Sequence, residues 1–274
     1  MFQPALDALA SVLFAAPCRI CDAPLLNASR IPICRPCLAS FVELRGPLCP
    51  CCGRPQTSGR IVQSAVTQSP ATSEPSPSLP SGPNATPSLC RLCRAKTFAF
   101  VRARNWAAYN ESLTAAIMLL KYEEVTRLGD WFAARLAELH ARLSESDASA
   151  WRGDVVVPVP LHADRRRERG YNQADMIARP LAKRLGLPFR PYLLARTKPR
   201  PARLVLSRSE HWESVRGAYA IREDSRVDKL RILLIDDVMT TGATLDACSR
   251  ALLAAGAAEV VALTVARAIS RHTA

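Results

Sequence analysis

The chain has 274 residues, 49% of them hydrophobic and only 6% aromatic, so it can bury a core resting on Ala, Leu and Val and is not globally disordered. Its formal net charge is +13, yet residues 151–222 hold 16 Lys/Arg against 6 Asp/Glu, leaving a surplus of 3 for the other 202 residues. A surplus so local points to an anionic partner, phosphates or nucleic acid, and no segment is long and apolar enough to span a membrane.

At the front, Phe2, Leu6, Leu9 and Leu13 recur at helical spacing, which predicts a short amphipathic helix over residues 1–16. No Lys or Arg precedes Arg19, so this stretch lacks the positive start of a secretory leader. Ten cysteines occur in the chain, and eight form four C-x-x-C pairs: Cys18/Cys21, Cys34/Cys37, Cys49/Cys52 and Cys90/Cys93. Such knuckles read as metal sites in a reducing compartment, which places the protein in the cytoplasm. Four thiolates in tetrahedral array suit one structural zinc ion, and eight suit two. Spacing alone leaves the pairing open, and a single ion as well, and Cys51 could stand in for Cys52. Residues 57–88 are dominated by Ser, Thr, Pro and Ala without a period, which predicts a disordered insertion interrupting the cysteine-rich region.

From residue 98 the pattern turns regular. Phe98–Tyr109 reads as a strand with arginines on one face. Residues 112–121 read as a helix burying Leu113, Ile117 and Leu120. Residues 128–143 read as another, burying Leu128, Phe132, Leu136, Leu139 and Leu143. Asp154–Pro158 is a short buried strand. Residues 173–186 form a helix with Ile177, Leu181 and Leu185 inward, kinked at Pro180 and stopped by Gly186. Arg231–Ile235 and Glu259–Ala266 are strands flanking a helix over Leu245–Ala255, whose Cys248 sits at core spacing and should be buried and inert. Strands alternating with helices predict an α/β fold with a parallel sheet. The composition divides the chain into residues 1–96 and 97–274.

The most informative segment is ILLIDDVMTTGATL, residues 232–245. An all-apolar strand delivers Asp236 and Asp237 at its carboxyl end, the edge where open parallel sheets bind ligands. Thr240, Thr241, Gly242, Ala243 and Thr244 then open a helix. Backbone N–H groups at a helix start, with hydroxyls around them, make a phosphate cradle. Carboxylates beside a phosphate site need another partner, such as ribose hydroxyls or a metal ion. This segment resembles the 5-phosphoribosyl-1-pyrophosphate (PRPP) signature of type I phosphoribosyltransferases. The resemblance implies that Asp236 and Asp237 hold the ribose hydroxyls, that Thr240–Thr244 wrap the 5′-phosphate, and that Mg²⁺ accompanies the pyrophosphate. Thr240 stands where enzymes acting on 6-oxopurines carry an Asp, which disfavours guanine or hypoxanthine as acceptor.

Upstream, Pro158 and Pro160 force an extended exit into a segment where His162, Arg165, Arg166, Arg167 and Arg169 cluster. Arginines grip pyrophosphate with forked donors. The string P-V-P-L-H…R-G-Y-N-Q closely resembles that of ComF-type proteins, as do the cysteine knuckles, the Leu-Lys-Tyr helix end at 120–122 and the PRPP loop. The resemblance implies a type I phosphoribosyltransferase-like parallel sheet with helices, preceded by a double zinc ribbon. Sequential pairing would then put Cys18, Cys21, Cys34 and Cys37 on one ion and Cys49, Cys52, Cys90 and Cys93 on the other. It further implies a link to natural transformation and DNA uptake, with single-stranded DNA and DNA-uptake proteins as partners. Arg165, Arg166, Arg169 and Lys198 are the candidates for gripping pyrophosphate or closing a flap, which spans residues 196–219. In that flap Arg203, His211 and Ser214 stand where family members usually show Gln, Arg and Asn. Two functions fit: a phosphoribosyltransferase whose acceptor the sequence does not name, or a non-catalytic nucleic-acid-handling protein using the PRPP fold as sensor or scaffold. Pyrophosphate release separates them.

Overall fold

Apolar runs without polar alternation occupy the centre of the sheet, because both of their faces are covered. The computed structural model describes residues 16–25, 31–56, 88–199, 207–222 and 226–269. The strands are β1 (Arg102–Ala108), β2 (Val155–Pro158), β3 (Leu194–Arg196), β4 (Tyr219–Ile221), β5 (Arg231–Met239) and β6 (Glu259–Arg267). Two short helices lie in the cysteine-rich part, α1 (Arg35–Ala39) and α2 (Arg91–Ala95). After β1 come α3 (Glu111–Tyr122), α4 (Arg127–Ser146) and α5 (Ala148–Trp151). After β2 come α6 (Ala163–Arg169) and α7 (Gln173–Leu185), then α8 (Arg208–Val215) before β4 and α9 (Ala243–Ala254) before β6.

The main sheet runs β1-β6-β5-β2 with every neighbouring pair parallel. Side chains of β5 alternate between two cores. Leu233 and Ile235 pack with α3, α4 and α7, whereas Ile232 and Leu234 pack with α9 and the antiparallel pair β3–β4. On α3, Leu113, Ile117 and Leu120 are buried as the spacing predicts, and so are Leu128, Phe132, Leu136 and Leu139 on α4. Leu143 and Leu185 are half-buried. Helix α7 continues through Pro180 and ends at Gly186, whose φ of 67° is the left-handed stop.

Three boundaries differ from the sequence reading. The first strand begins only at Arg102, because Phe98 and Phe100 stack on each other at 4.6 Å and go into the core. Its arginines do not form an open face, since Arg104 is half-buried and donates to the Pro50 carbonyl at 3.0 Å. The fifth strand does not stop at Ile235 but carries both acids and continues to Met239, held by β6 along its whole length. Helix α9 starts at Ala243, inside the expected phosphate loop.

The cysteine-rich part lies against the outer edge of β1. Leu44 N–H donates to the Trp106 carbonyl at 2.9 Å, Ala108 N–H to Val42 at 2.8 Å and Ala103 N–H to Cys51 at 2.7 Å. The predicted helix over 1–16 and the insertion over 57–88 fall almost wholly outside the described residues, as does Arg203.

Candidate functional site

Successive residues at the end of β5 point to opposite faces. Asp237 turns toward α3, where its Oδ2 lies 2.6 Å from Lys121 Nζ. Asp236 lies on the other core and accepts a hydrogen bond from the Asp237 N–H at 2.9 Å. Both carboxylates are buried. Burial and the neighbouring Asp237 charge hold the Asp236 carboxyl well above its ordinary range. Burial opposes the charge on Lys121, but the charge of Asp237, its hydrogen bond and Asp236 outweigh it and raise the amine above its usual value.

The loop after β5 is shaped by Gly242. Its φ is 84°, and a Cβ there would meet Met239 Cε at 2.8 Å and Phe98 Cε1 at 2.9 Å, so only glycine fits. Thr241 is buried, and its Oγ1 accepts from the Ala243 N–H at 3.3 Å, capping the start of α9. The same hydroxyl lies 3.2 Å from His211 Nδ1 on α8. Asp246, in the first turn of α9, accepts from the Ala99 N–H at 2.7 Å and fixes the helix against the segment before β1. Cys248 is fully buried, and burial pushes its thiol well above the usual value.

A cavity of about 190 Å³ opens beside the acids, lined by Lys121, Tyr122, Glu124, Arg165, Glu168, Arg169 and Tyr171. Lys121 therefore joins it to Asp237. The basic segment supplies this wall as a helix, α6, which caps on His162 and stops at the left-handed Gly170. Asn172, buried at the start of α7, donates to the Val159 carbonyl at 3.0 Å and thereby ties the exit of β2 to the next helix. Arg165 pairs with Glu168 at 3.0 Å, and Arg169 lies over the Tyr122 ring at 4.8 Å. Arg166 points elsewhere: it pairs with Asp175 at 3.4 Å and lies over the Tyr192 ring at 5.2 Å. Lys198 donates to the Arg216 carbonyl at 3.0 Å and does not line the cavity. The structure thus brings Arg165 and Arg169 to the neighbourhood of the acids but not Arg166 or Lys198. Two contacts escaped the sequence reading. Lys121 was visible only as part of a family-like helix end, and the approach of His211 to the loop carried no sequence signal.

The paired cysteines gather into two groups, Cys18/Cys21/Cys34/Cys37 and Cys49/Cys52/Cys90/Cys93, with the sulphurs of each group within 4.8 Å of one another. Cys51 stays outside the second group. A tetrahedral thiolate site with Zn–S bonds near 2.3 Å has S···S edges of about 3.8 Å. The Cys18–Cys37, Cys21–Cys34 and Cys52–Cys90 separations of 3.9, 3.6 and 3.6 Å fit that dimension. Backbone N–H groups also point at sulphur, Cys34 at Cys18 (3.3 Å) and Cys90 at Cys49 (3.4 Å). Burial opposes ionisation of the Cys18 thiol, but the N–H groups of Cys34, Ile20 and Cys21 outweigh it and bring it down to about 6. In the second group the Cys93 sulphur and burial push the Cys52 thiol up to about 12. Four thiolates so close repel one another, and a dication among them removes the conflict.

Residues 9–66 match the double zinc ribbon domain family, and residues 172–273 match the phosphoribosyl transferase domain family. Over 161 residues the chain is 30% identical to Competence protein F of Haemophilus influenzae, covering 58% of this chain and 70% of that protein. The chain belongs to the ComF family. Within that family it is similar over 246 residues to the DNA utilization protein YhgH of Salmonella typhimurium, at 28% identity and covering 89% and 93% of the two chains. It is similar over 248 residues to Competence protein ComFC of Bacillus subtilis, at 24% identity and covering 86% and 84%. Among solved structures, the glutamine PRPP amidotransferase of B. subtilis shares 21% identity at a TM-score of 0.35, over 53% of this chain and 30% of that one. The adenine phosphoribosyltransferase of Thermoanaerobacter pseudethanolicus shares 15% at 0.31, over 54% and 83%. This ComF-family chain thus joins a cysteine-rich zinc-ribbon module to a phosphoribosyltransferase-like parallel sheet, and its cysteine clusters support structural zinc.

Proposed function

We propose that the protein binds PRPP at the carboxyl edge of β5 and β2 and acts as a phosphoribosyltransferase. The observation that carries this reading is the order of parts on one strand end: Asp236 and Asp237, the glycine turn at 242 and the start of α9, with the Lys121–Arg165–Arg169 cavity alongside. Asp236 and Asp237 hold the ribose hydroxyls, Thr240–Thr244 receive the 5′-phosphate, and Arg165 and Arg169 attract the pyrophosphate. Mg²⁺, when bound with PRPP, neutralises part of the pyrophosphate charge. In transfer, the bond from ribose C1 to pyrophosphate breaks, an acceptor forms a bond to C1, and the acceptor's proton is released. Thr240, lacking a carboxylate, argues against a 6-oxopurine acceptor. One structural zinc ion is assigned to each cysteine group, with residues 1–96 and 97–274 as the two units. Calorimetric titration with PRPP, with and without Mg²⁺, tests the reading, and no heat of binding in either condition would refute it. Release of pyrophosphate in an acceptor screen distinguishes transfer from binding alone.

A second reading is favoured by a separate groove of about 760 Å³ whose lining includes Arg190, Tyr192, Arg222 and Arg226. Tyr192 is 54% exposed, and Arg166 and Arg222 lie over its ring at 5.2 and 5.9 Å. Guanidinium groups beside an exposed aromatic suit single-stranded nucleic acid, phosphates to the arginines and a base to the ring. The relatives' names, competence and DNA utilization, agree with single-stranded DNA and DNA-uptake proteins as partners. No helix among the described residues is long and apolar enough to cross a membrane, and the clustered thiols suit the reducing cytoplasm.

A further inference from the structure

Arg267 ends β6 with its side chain fully buried, 0% exposed, and among the described residues no carboxylate pairs with it. A guanidinium stays charged in a protein, and a buried charge without a counter-charge is costly. Its two terminal nitrogens reach one residue: Nη1 donates to the Cys52 carbonyl at 3.4 Å and Nη2 to the Cys52 Sγ at 3.8 Å. No carboxylate is among the groups acting on it. Asn105 donates to the same carbonyl at 3.4 Å and accepts from Thr264 at 2.7 Å. Arg54, also close, adds charge of the same sign. The remaining candidates for compensation are the sulphurs of Cys52, Cys90 and Cys93. Four thiolates around one dication carry a net charge of about −2.

We propose that Arg267 is the counter-ion of the second zinc site, its buried guanidinium balancing the charge of the metal-loaded Cys49/Cys52/Cys90/Cys93 cluster. The inference rests on the zinc assignment above. It makes Arg267 a positioning residue for a metal that its own strand does not ligate. The first cluster is built differently: Cys21 is exposed, and the nearby Arg19 is engaged at the surface by Glu123. The consequence reaches the phosphate loop, because Arg267 is in register with Met239 and the Ala268 N–H donates to the Met239 carbonyl at 3.0 Å. Met239 is the side chain packed under Gly242. Metal held at the second cluster therefore secures the strand end from which the loop departs, and the coupling is reciprocal.

The test uses the full chain with both zinc ions, challenged by a chelator while thiol alkylation is read cysteine by cysteine in a mass spectrometer. Arg267→Met keeps the length and loses the charge; Arg267→Lys keeps the charge. In Arg267→Met the second-site cysteines should become reactive roughly tenfold to a hundredfold faster, the range typical for loss of an outer-shell partner. The first-site cysteines should be unchanged, and Arg267→Lys should recover most of the protection. Unchanged second-site reactivity in Arg267→Met, or equal loosening of both sites, overturns the proposal. If Arg267→Met does not fold, hydrogen exchange on the wild-type chain decides. Amides of Val265–Arg267 must lose protection as the second-site metal is withdrawn, and their persistence overturns the proposal. Elemental analysis finding no zinc in wild-type protein prepared without chelators refutes the zinc assignment itself, and this inference with it.

Discussion

Half-buried Lys121 and buried Asp237 form an ion pair, Nζ to Oδ2 at 2.6 Å, between the last turn of α3 and the end of β5. Without the lysine, Asp236 and Asp237 would be two adjacent buried carboxylates. Breaking a fully buried pair by removing one partner costs about 3–5 kcal/mol, and solvent at the half-buried lysine puts this pair at or below the low end of that range. Lys121→Met should lower stability by that order in denaturant titration, whereas Lys121→Met with Asp237→Asn should recover much of the loss. Strictly additive losses from the two substitutions would show that the contact carries no coupling.

The ribose site is tested by Asp236→Ala with Asp237→Ala. Hydrogen bonds to charged groups are worth roughly 1.5–3 kcal/mol each, and tenfold in affinity is about 1.4 kcal/mol. The double variant should lose PRPP affinity by about two orders of magnitude or more. Pyrophosphate affinity should change far less, and it could rise, because Lys121 is released into the cavity it already lines. Thr241→Val should weaken PRPP binding alone, through loss of one hydroxyl. A double variant that is folded by circular dichroism and binds PRPP as the parent does would remove the basis of the functional reading.

Elemental analysis should give two zinc ions per chain. Apparent binding energies of structural zinc are on the order of 10–16 kcal/mol at neutral pH. Chelation should not leave the sheet untouched, since Val42, Leu44 and Cys51 are hydrogen-bonded to β1. Hydrogen exchange should show the amides of Ala103, Ala108 and Leu44, the donors of those bonds, losing protection together with the metal. Full protection of β1 in metal-free protein would mean that the two parts are independent.

Deleting residues 60–86 should leave zinc content and PRPP affinity almost unchanged. The ends of that segment are already joined, with the Gln56 side chain donating to the Ser88 carbonyl and the Cys52 and Cys90 sulphurs 3.6 Å apart. Closure entropy changes only slowly with loop length, about 0.6 kcal/mol per doubling. Unfolding of the deletion variant would show that the segment contributes to the core.

Binding to an oligothymidylate should weaken steeply as salt rises, because phosphate contacts release counterions. Tyr192→Ala should cost about 1–3 kcal/mol for one stacked base and leave binding of inorganic polyphosphate intact. Equal loss for both ligands would mark the groove as a plain anion site, and no loss for either would place nucleic acid elsewhere.

The sheet was legible where burial writes a pattern. Runs such as Ile232–Ile235 and Val155–Val157 are apolar because both faces are covered, and the loop was legible because its acids and glycine sit at a strand end. Helix α6 was not, since none of its residues is buried and a helix without an apolar face leaves no period. Strands β3 and β4, three residues each, are too short to alternate visibly. Arg267 lies one residue beyond the strand expected over Glu259–Ala266, and the sequence carries no sign that its charge is buried. Only the three-dimensional structure places Cys52 beside it.

The hydrogen bonds from β1 to Val42, Leu44 and Cys51 have one more consequence. β6 occupies one side of β1, and an uncovered outer edge would offer its remaining backbone donors and acceptors to any other chain. The cysteine knuckles hold the segment that occupies those groups. Zinc bound there would act at a distance as a guard against self-association: protein stripped of metal should sediment as oligomers growing through strand pairing, and metal-loaded protein should not.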